Sequence, residues 1–238
     1  MSSCPNCYTT MIAQTVDVAV STRPAEIDAC PSCRLLWFDQ SESTSLTPRA
    51  VLGLFEYIGK TTGVAPTPLA SRFNCPRCQN PLAFTNDIQR TTRFTYWRCA
   101  INDGRLISFN QFLREKNFIR TPSPPELMRL RATVKQISCS QCGGPIDLAN
   151  DNACRHCGAP IAMIDPDSVA KAIHELTALQ SGTSPSSATN GTRQVLSDAQ
   201  IAAIFDQERM RERADHSDLL EIGVQAIGAL VGAFLLTR

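Results

Sequence analysis

Catalytic signatures are what this sequence lacks. There is no Walker loop, no dinucleotide-binding glycine pattern and no Gly-x-Ser-x-Gly. All three histidines lie at or beyond position 156, which argues against a catalytic zinc site of the histidine-rich kind. No βαβ pattern surrounds any Cys-x-x-Cys, so a thioredoxin-like reading has no context. The N-terminal Met-Ser-Ser-Cys-Pro-Asn-Cys has neither a basic n-region nor an apolar h-region, so no signal peptide is expected and the expected compartment is the reducing cytoplasm. An enzyme is the least expected class.

What is present is cysteine in pairs. The eleven cysteines form five Cys-x-x-Cys pairs plus Cys99. In a reducing compartment that spacing reads as metal ligation, because the tight turn aims both sulfurs at one ion. Modules of a few tens of residues bury too little apolar surface to fold unaided, so metal supplies the remainder. Three zinc ions are expected. The first takes Cys4, Cys7, Cys30 and Cys33, and the third takes Cys139, Cys142, Cys154 and Cys157. The central set has Cys75, Cys78 and Cys99 and needs a fourth ligand. Asp103 is the best candidate, since a carboxylate can ligate zinc. The alternative makes Asp103 a turn residue before Gly104 and leaves an incomplete three-cysteine site. His156 inside the last knuckle is expected to be a loop residue, and His174 a surface or packing residue.

Alternation in Met11–Val20 suits a strand, Glu26–Cys30 returns, and Arg34–Phe38 is a third short strand; together they predict a small antiparallel sheet that brings the first knuckles together. Thr47-Pro48 opens a helix through Ile58. In the middle module, Leu82–Thr85 and Thr92–Arg98 are strand candidates about a turn at Asn86-Asp87. Ser108–Phe118 suits a short helix with Phe109, Phe112, Leu113 and Lys116 on one side, and Glu126–Arg131 a further helical piece. Thr133–Ile137 is expected to be a strand leading into the third module, where Ile146 and Leu148 lie on a hairpin turning at Ala149–Asn152. Asp165-Pro166 caps a helix over Asp167–Leu179, whose Val169, Ile173, Leu176 and Leu179 are expected to pack on the third module.

Two stretches resemble known families. Cys4-Pro, Cys7, Asp28, Cys30-Pro, Cys33, Trp37-Phe-Asp39 and Glu42 resemble the transcription-factor-B-type zinc-ribbon family over about the first 45 residues. Tyr8, Arg34 and Ser41 stand where that family usually has glycine. The middle stretch looks like a zinc-ribbon module of uncharacterised bacterial proteins that ends Cys-x-x-x-His-Gly-Arg and runs into Gln-Phe-Leu-Arg-Glu-Lys-Asn-Phe. Here Asp103 occupies the histidine position.

The formal net charge of +1 conceals an asymmetry. Residues 72–135 carry twelve basic and four acidic side chains, while the stretches on either side are net acidic. Arg90, Arg93, Tyr96, Arg98, Arg105, Arg114, Lys116 and Arg120 are therefore candidates for binding nucleic acid or an anionic partner, by phosphate attraction and base stacking. The opposing expectation is that the aromatics pack the module and the arginines solvate it or meet the acidic C-terminal part.

The fold expected is a small metal-stapled α+β chain: three tandem zinc ribbons of short antiparallel sheets, connecting helices and a helical C-terminal tail. Ribbon 1 covers 1–45, a helix and linker 46–71, ribbon 2 with its basic and aromatic helix 72–120, and ribbon 3 with the following helix 121–179. A flexible linker over 180–196 leads to the tail, 197–238, which opens on a capping box at Ser197–Gln200. The apolar segment 219–236 is interrupted by Glu221 and Gln225, and its Gly228-x-x-x-Gly232 pair permits close helix approach. Helix packing or self-association is the expectation there, with a membrane span the alternative. The function expected is a non-enzymatic adaptor with a protein partner. Nucleic-acid binding is one alternative, and tethering to a membrane through 219–236 is the other.

Overall fold

A computed structural model describes residues 2–19, 21, 23–40, 42–61, 67–89, 92–142 and 144–180, with Val224, Gly228, Val231, Gly232 and Leu235. The expected linker beyond Gln180, the capping box at Ser197 and most of the tail lie outside the described residues, as does Arg90.

The first module forms β1 (Ile12–Val16), β2 (Ala25–Cys30) and β3 (Leu35–Asp39). A short helix α1 (Glu42–Ser45) and the longer α2 (Pro48–Thr61) follow. Thr47 caps α2, its hydroxyl accepting from the Ala50 N–H at 3.1 Å, with Pro48 at the position where its missing N–H costs nothing. The second module forms β4 (Leu82–Gln89), β5 (Thr92–Cys99) and β6 (Gly104–Ser108), then α3 (Phe109–Glu115). Ser108 caps α3 by accepting from the Gln111 N–H. The expected turn at Asn86-Asp87 is corrected: both residues lie in the β4–β5 ladder opposite Thr95 and Phe94, and the chain reverses between Gln89 and Thr92. Asn and Asp are common in turns, but here both are exposed on an edge strand, where water meets their side chains and the ladder runs on unbroken.

These six strands form one antiparallel sheet in the order β1-β2-β3-β6-β5-β4. The two modules meet along β3 and β6, with Leu35 opposite Ser108, Trp37 opposite Leu106 and Asp39 opposite Gly104. Gly104 is required at this joint. Its φ is +150°, and a Cβ there would overlap the Phe38 carbonyl oxygen and stand 2.9 Å from the Asp39 Cα.

Alternation of side chains gives the sheet two buried faces. One carries Ile27, Leu36, Phe38, Phe94, Tyr96 and Ile107 and packs under α2, α3 and α5 (Pro166–Gln180). The other carries Leu35, Trp37, Trp97 and Leu106 and merges with cysteines of the first two modules in a single cluster.

The third module stands apart with its own small core of Leu130, Ile137, Ile146, Leu148 and Ile161. It comprises α4 (Pro124–Thr133), β8 (Gln136–Ser138) and β9 (Pro145–Asp147). It joins the main body where β7 (Ile119–Arg120) pairs with β10 (Met163–Ile164). The expectation that the helix after it packs on the third module is corrected: Val169, Ile173 and Leu176 of α5 belong to the main core, and α5 lies against α2. Pairing of β10 with β7 delivers the chain to the main body, so the apolar face of α5 meets the larger surface there.

Val224, Gly228, Val231, Gly232 and Leu235 are helical and recur on one helical face. Val224 and Val231 are buried in the main core. The close approach expected of the glycine pair is made with α2 of the same chain, where a Cβ on Gly59 would stand 2.6 Å from the Val224 carbonyl oxygen. No helix among the described residues is long and apolar enough to cross a membrane.

Candidate metal centres

The knuckles share features of local build among the described residues. In all three modules the N–H two residues beyond the first cysteine points at its sulfur: Asn6 N to Cys4 Sγ at 3.5 Å, Arg77 N to Cys75 Sγ at 3.4 Å and Gln141 N to Cys139 Sγ at 3.4 Å. The residue after the second cysteine takes positive φ: 61° at Tyr8, 53° at Arg34, 62° at Gln79 and 72° at Gly158. The turn therefore demands the left-handed region even where the side chain is not glycine, at a cost on the order of 1–3 kcal/mol each.

The three sets of ligand atoms converge. Cys4, Cys7, Cys30 and Cys33 form one group, Cys75, Cys78, Cys99 and Asp103 a second, and Cys139, Cys142, Cys154 and Cys157 a third, with the ligand atoms of each group all within 4.8 Å of one another. None of the eleven cysteines is in a disulfide. A tetrahedral ion with metal–sulfur bonds of about 2.3 Å and a metal–oxygen bond of about 2.0 Å has S···S edges of about 3.8 Å and S···O edges of about 3.5 Å. The sulfurs stand 3.6 Å apart in Cys7–Cys30, Cys78–Cys99, Cys139–Cys157 and Cys142–Cys154. Asp103 Oδ2 lies 3.5 Å from Cys75 Sγ and 3.4 Å from Cys99 Sγ. Both kinds of edge fit a single ion, and the space is too small for a cluster of several metals. Asp103 thus stands where a fourth ligand is needed. His156 and His174 are exposed and in none of the groups.

The electrostatics fit a cation as well. Burial pushes the Cys75 thiol up to about 12 and the Cys33 and Cys157 thiols up to about 11. The hydrogen bond between Cys4 and Cys30 raises the first and holds the second down at about 5. Hydrogen bonds from Cys78, Cys99 and Cys75 hold the Asp103 carboxyl below the usual carboxylate range. Packed this closely and without compensating charge, the sulfurs cannot all ionise; a divalent cation reverses that balance.

A second layer of contacts escaped sequence reasoning. Arg77, inside the Cys75–Cys78 knuckle, donates to both carboxylate oxygens of Asp39 at 2.9 and 2.7 Å and to Asp28 at 3.1 Å. Asp28 is buried and also accepts from the Ser2 hydroxyl at 2.6 Å. Trp37 donates to Asp39 at 2.6 Å, and Glu42 accepts from the Asp39 N–H at 2.8 Å. Asn6 donates through Nδ2 to Cys33 Sγ at 3.1 Å. The available signal was an arginine between two cysteines together with the acidic residues Asp28, Asp39 and Glu42 of the first module.

Among the described candidate anion-binding residues, Arg98 stands opposite Arg105 in the β5–β6 ladder, near Tyr96 and Lys116, but several of the candidates are engaged within the chain. Arg105 pairs with Glu115 at 2.6 Å and lies over the rings of Tyr96 and Phe38. Lys116 pairs with Glu115 and donates to the Ser43 carbonyl. Arg120 makes two hydrogen bonds to Glu126. Arg114 donates to Asn110, and burial lowers its pKa. Tyr96 is buried against Phe94. Arg93 and Arg98 are exposed, but five positions apart on β5 they point to opposite faces of the sheet. Exposed apolar side chains occur instead on the edge strands: Phe84 and Ile88 on β4, and Ile12 on β1.

No family model, curated protein or solved structure matches this chain.

Proposed function

We propose that this chain is a non-enzymatic zinc protein whose metal-stapled modules present a surface to a protein partner. The observation that carries the reading is the convergence of twelve potential ligand atoms into three groups of four, the atoms of each within 4.8 Å of one another. Zinc is the metal of choice for sulfur-rich closed tetrahedra, and such sites leave no open position for catalysis. The likeness of the first two modules to zinc ribbons agrees with this choice. A protein is favoured over nucleic acid as partner because Arg77, Arg105, Lys116 and Arg120 are ion-paired within the chain, whereas Phe84 and Ile88 stand 59% and 52% exposed on an edge strand.

Metal analysis of protein purified under reducing conditions tests the first half. Three zinc ions per chain are expected, and absence of stoichiometric zinc defeats the reading. Binding to single-stranded DNA or RNA tests the second. Weak, sequence-independent binding at low salt at most is expected. Tight binding that Arg93→Ala or Arg98→Ala abolishes would make nucleic acid the partner.

A further inference from the structure

The first two metal groups are not independent. The β3–β6 ladder begins and ends at their ligand loops. Beyond its five paired positions it gains one rung at each end: Phe109 N–H to the Arg34 carbonyl at 2.8 Å, next to Cys33, and Gln40 N–H to the carbonyl of the ligand Asp103 at 3.2 Å. Each ligand loop is thus held by the far end of the other module's strand. Arg77 makes a second bridge. Its backbone N–H faces Cys75 Sγ while its guanidinium neutralises Asp28 and Asp39 of the first module. Asp28 is 3% exposed, so releasing Arg77 would leave a buried carboxylate without its cation, a costly state. Cysteines of both groups also share one apolar cluster around Trp37, Trp97 and Leu106.

We infer that the first two sites load metal as one cooperative pair, and that the third loads separately. Closing either site fixes a loop from which the ladder or Arg77 reaches the other, so it lowers the ordering cost still to be met there. The third module has its own core. Its links to the main body include the β7–β10 pairing, the Arg120 ion pairs, hydrogen bonds from the Asp165 N–H to the Phe118 carbonyl at 2.8 Å and from Gln111 to Gln141 at 2.7 Å, and the approach of Arg114 to Cys139. None of these touches a ligand loop of the first two sites. The inference rests on the metal reading above.

The test uses the full chain, stripped of metal under reducing conditions and given zinc stepwise in a metal buffer. A pulse of alkylating reagent marks open cysteines; intact mass counts them in each molecule and peptide mapping assigns them. Expected in the wild-type chain is protection of the first and second sets over one range of free zinc, without accumulation of molecules in which only Cys75, Cys78 and Cys99 are protected. Cys99→Ser should weaken zinc binding at the first site by about tenfold or more, and Cys30→Ser should weaken the second by the same factor, since coupling is reciprocal. Cys154→Ser should leave both unchanged. Arg77→Gln keeps every ligand and should shrink the coupling factor, with Arg77→Lys restoring part of it. Accumulation of molecules filled at one of the two sites alone, or an unaltered first site in Cys99→Ser, overturns the coupling. Failure of zinc to protect any cysteine overturns the metal reading instead.

Discussion

Replacing Gly104 with alanine should break the joint between the first two modules. The position has φ +150°, where a non-glycine residue costs on the order of 1–3 kcal/mol. The new methyl also has nowhere to go. It overlaps the Phe38 carbonyl oxygen, 3.0 Å from the carbonyl carbon and 2.9 Å from the Asp39 Cα, and all of these are backbone atoms that no rotamer change can move. Such overpacking adds about 1–3 kcal/mol. The sum of about 2–6 kcal/mol is a large share of the 5–15 kcal/mol or so that holds a typical domain. The chain supplies its own reporters, because its two tryptophans, Trp37 and Trp97, are both buried and flank Leu106 at the joint. Urea unfolding followed by their fluorescence at fixed free zinc should show the loss. Gly53→Ala is the control: it sits within α2 with nothing within 4 Å of its added Cβ, so it should be neutral or stabilising by about 0.5–1 kcal/mol. A Gly104→Ala protein within about 0.5 kcal/mol of wild type, with its zinc intact, would refute the steric argument.

At the central site, Asp103→Ala should lower bound zinc by one ion and Asp103→His should keep it, because an oxygen ligand beside three thiolates is replaceable by imidazole but not by a methyl group; unchanged zinc in Asp103→Ala would remove Asp103 from the ligand set. Zinc affinity should rise with pH. In the metal-free fold, thiols held up at about 11 to 12, such as Cys33, Cys75 and Cys157, carry protons at neutral pH that the metal must displace. Each displaced proton makes affinity roughly tenfold stronger per pH unit, so competition with a chelator of known pH behaviour should show zinc released progressively from about pH 8 to about pH 6. A flat profile would contradict the displacement.

The candidate metal groups were legible where Cys-x-x-Cys fixes its own geometry over four residues; Cys99 and Asp103 belong to no such pair. Also legible were β2 and β3, short pieces beside the knuckles, and α2, where a Thr-Pro start acts locally. The β3–β6 pairing was not legible. It joins Leu35 to Ser108 across more than seventy intervening residues, and an apolar run such as Leu35–Phe38 looks the same whether its outer edge is paired or free. How the arginines are partnered was not legible for a related reason. Sequence shows that positive charge is concentrated between residues 72 and 135. It does not show that Glu115, Glu126 and the distant Asp28 and Asp39 are placed against it. The turn assigned to Asn86-Asp87 failed because turn-forming composition does not prevent a strand whose side chains face water.

The joint between β3 and β6 has a consequence for how the chain is made. When Asp39 leaves the ribosome, its strand partner is still unsynthesised, and Gly104 follows sixty-five residues later. At roughly 5–20 residues per second that interval lasts about 3–13 s. Throughout it, Leu36, Trp37 and Phe38 offer an unpaired apolar edge, the kind of template on which nascent chains join one another. A pause in translation after β3 has emerged but before β6 has should therefore increase co-translational aggregation, whereas the same pause placed after β6 has emerged should not.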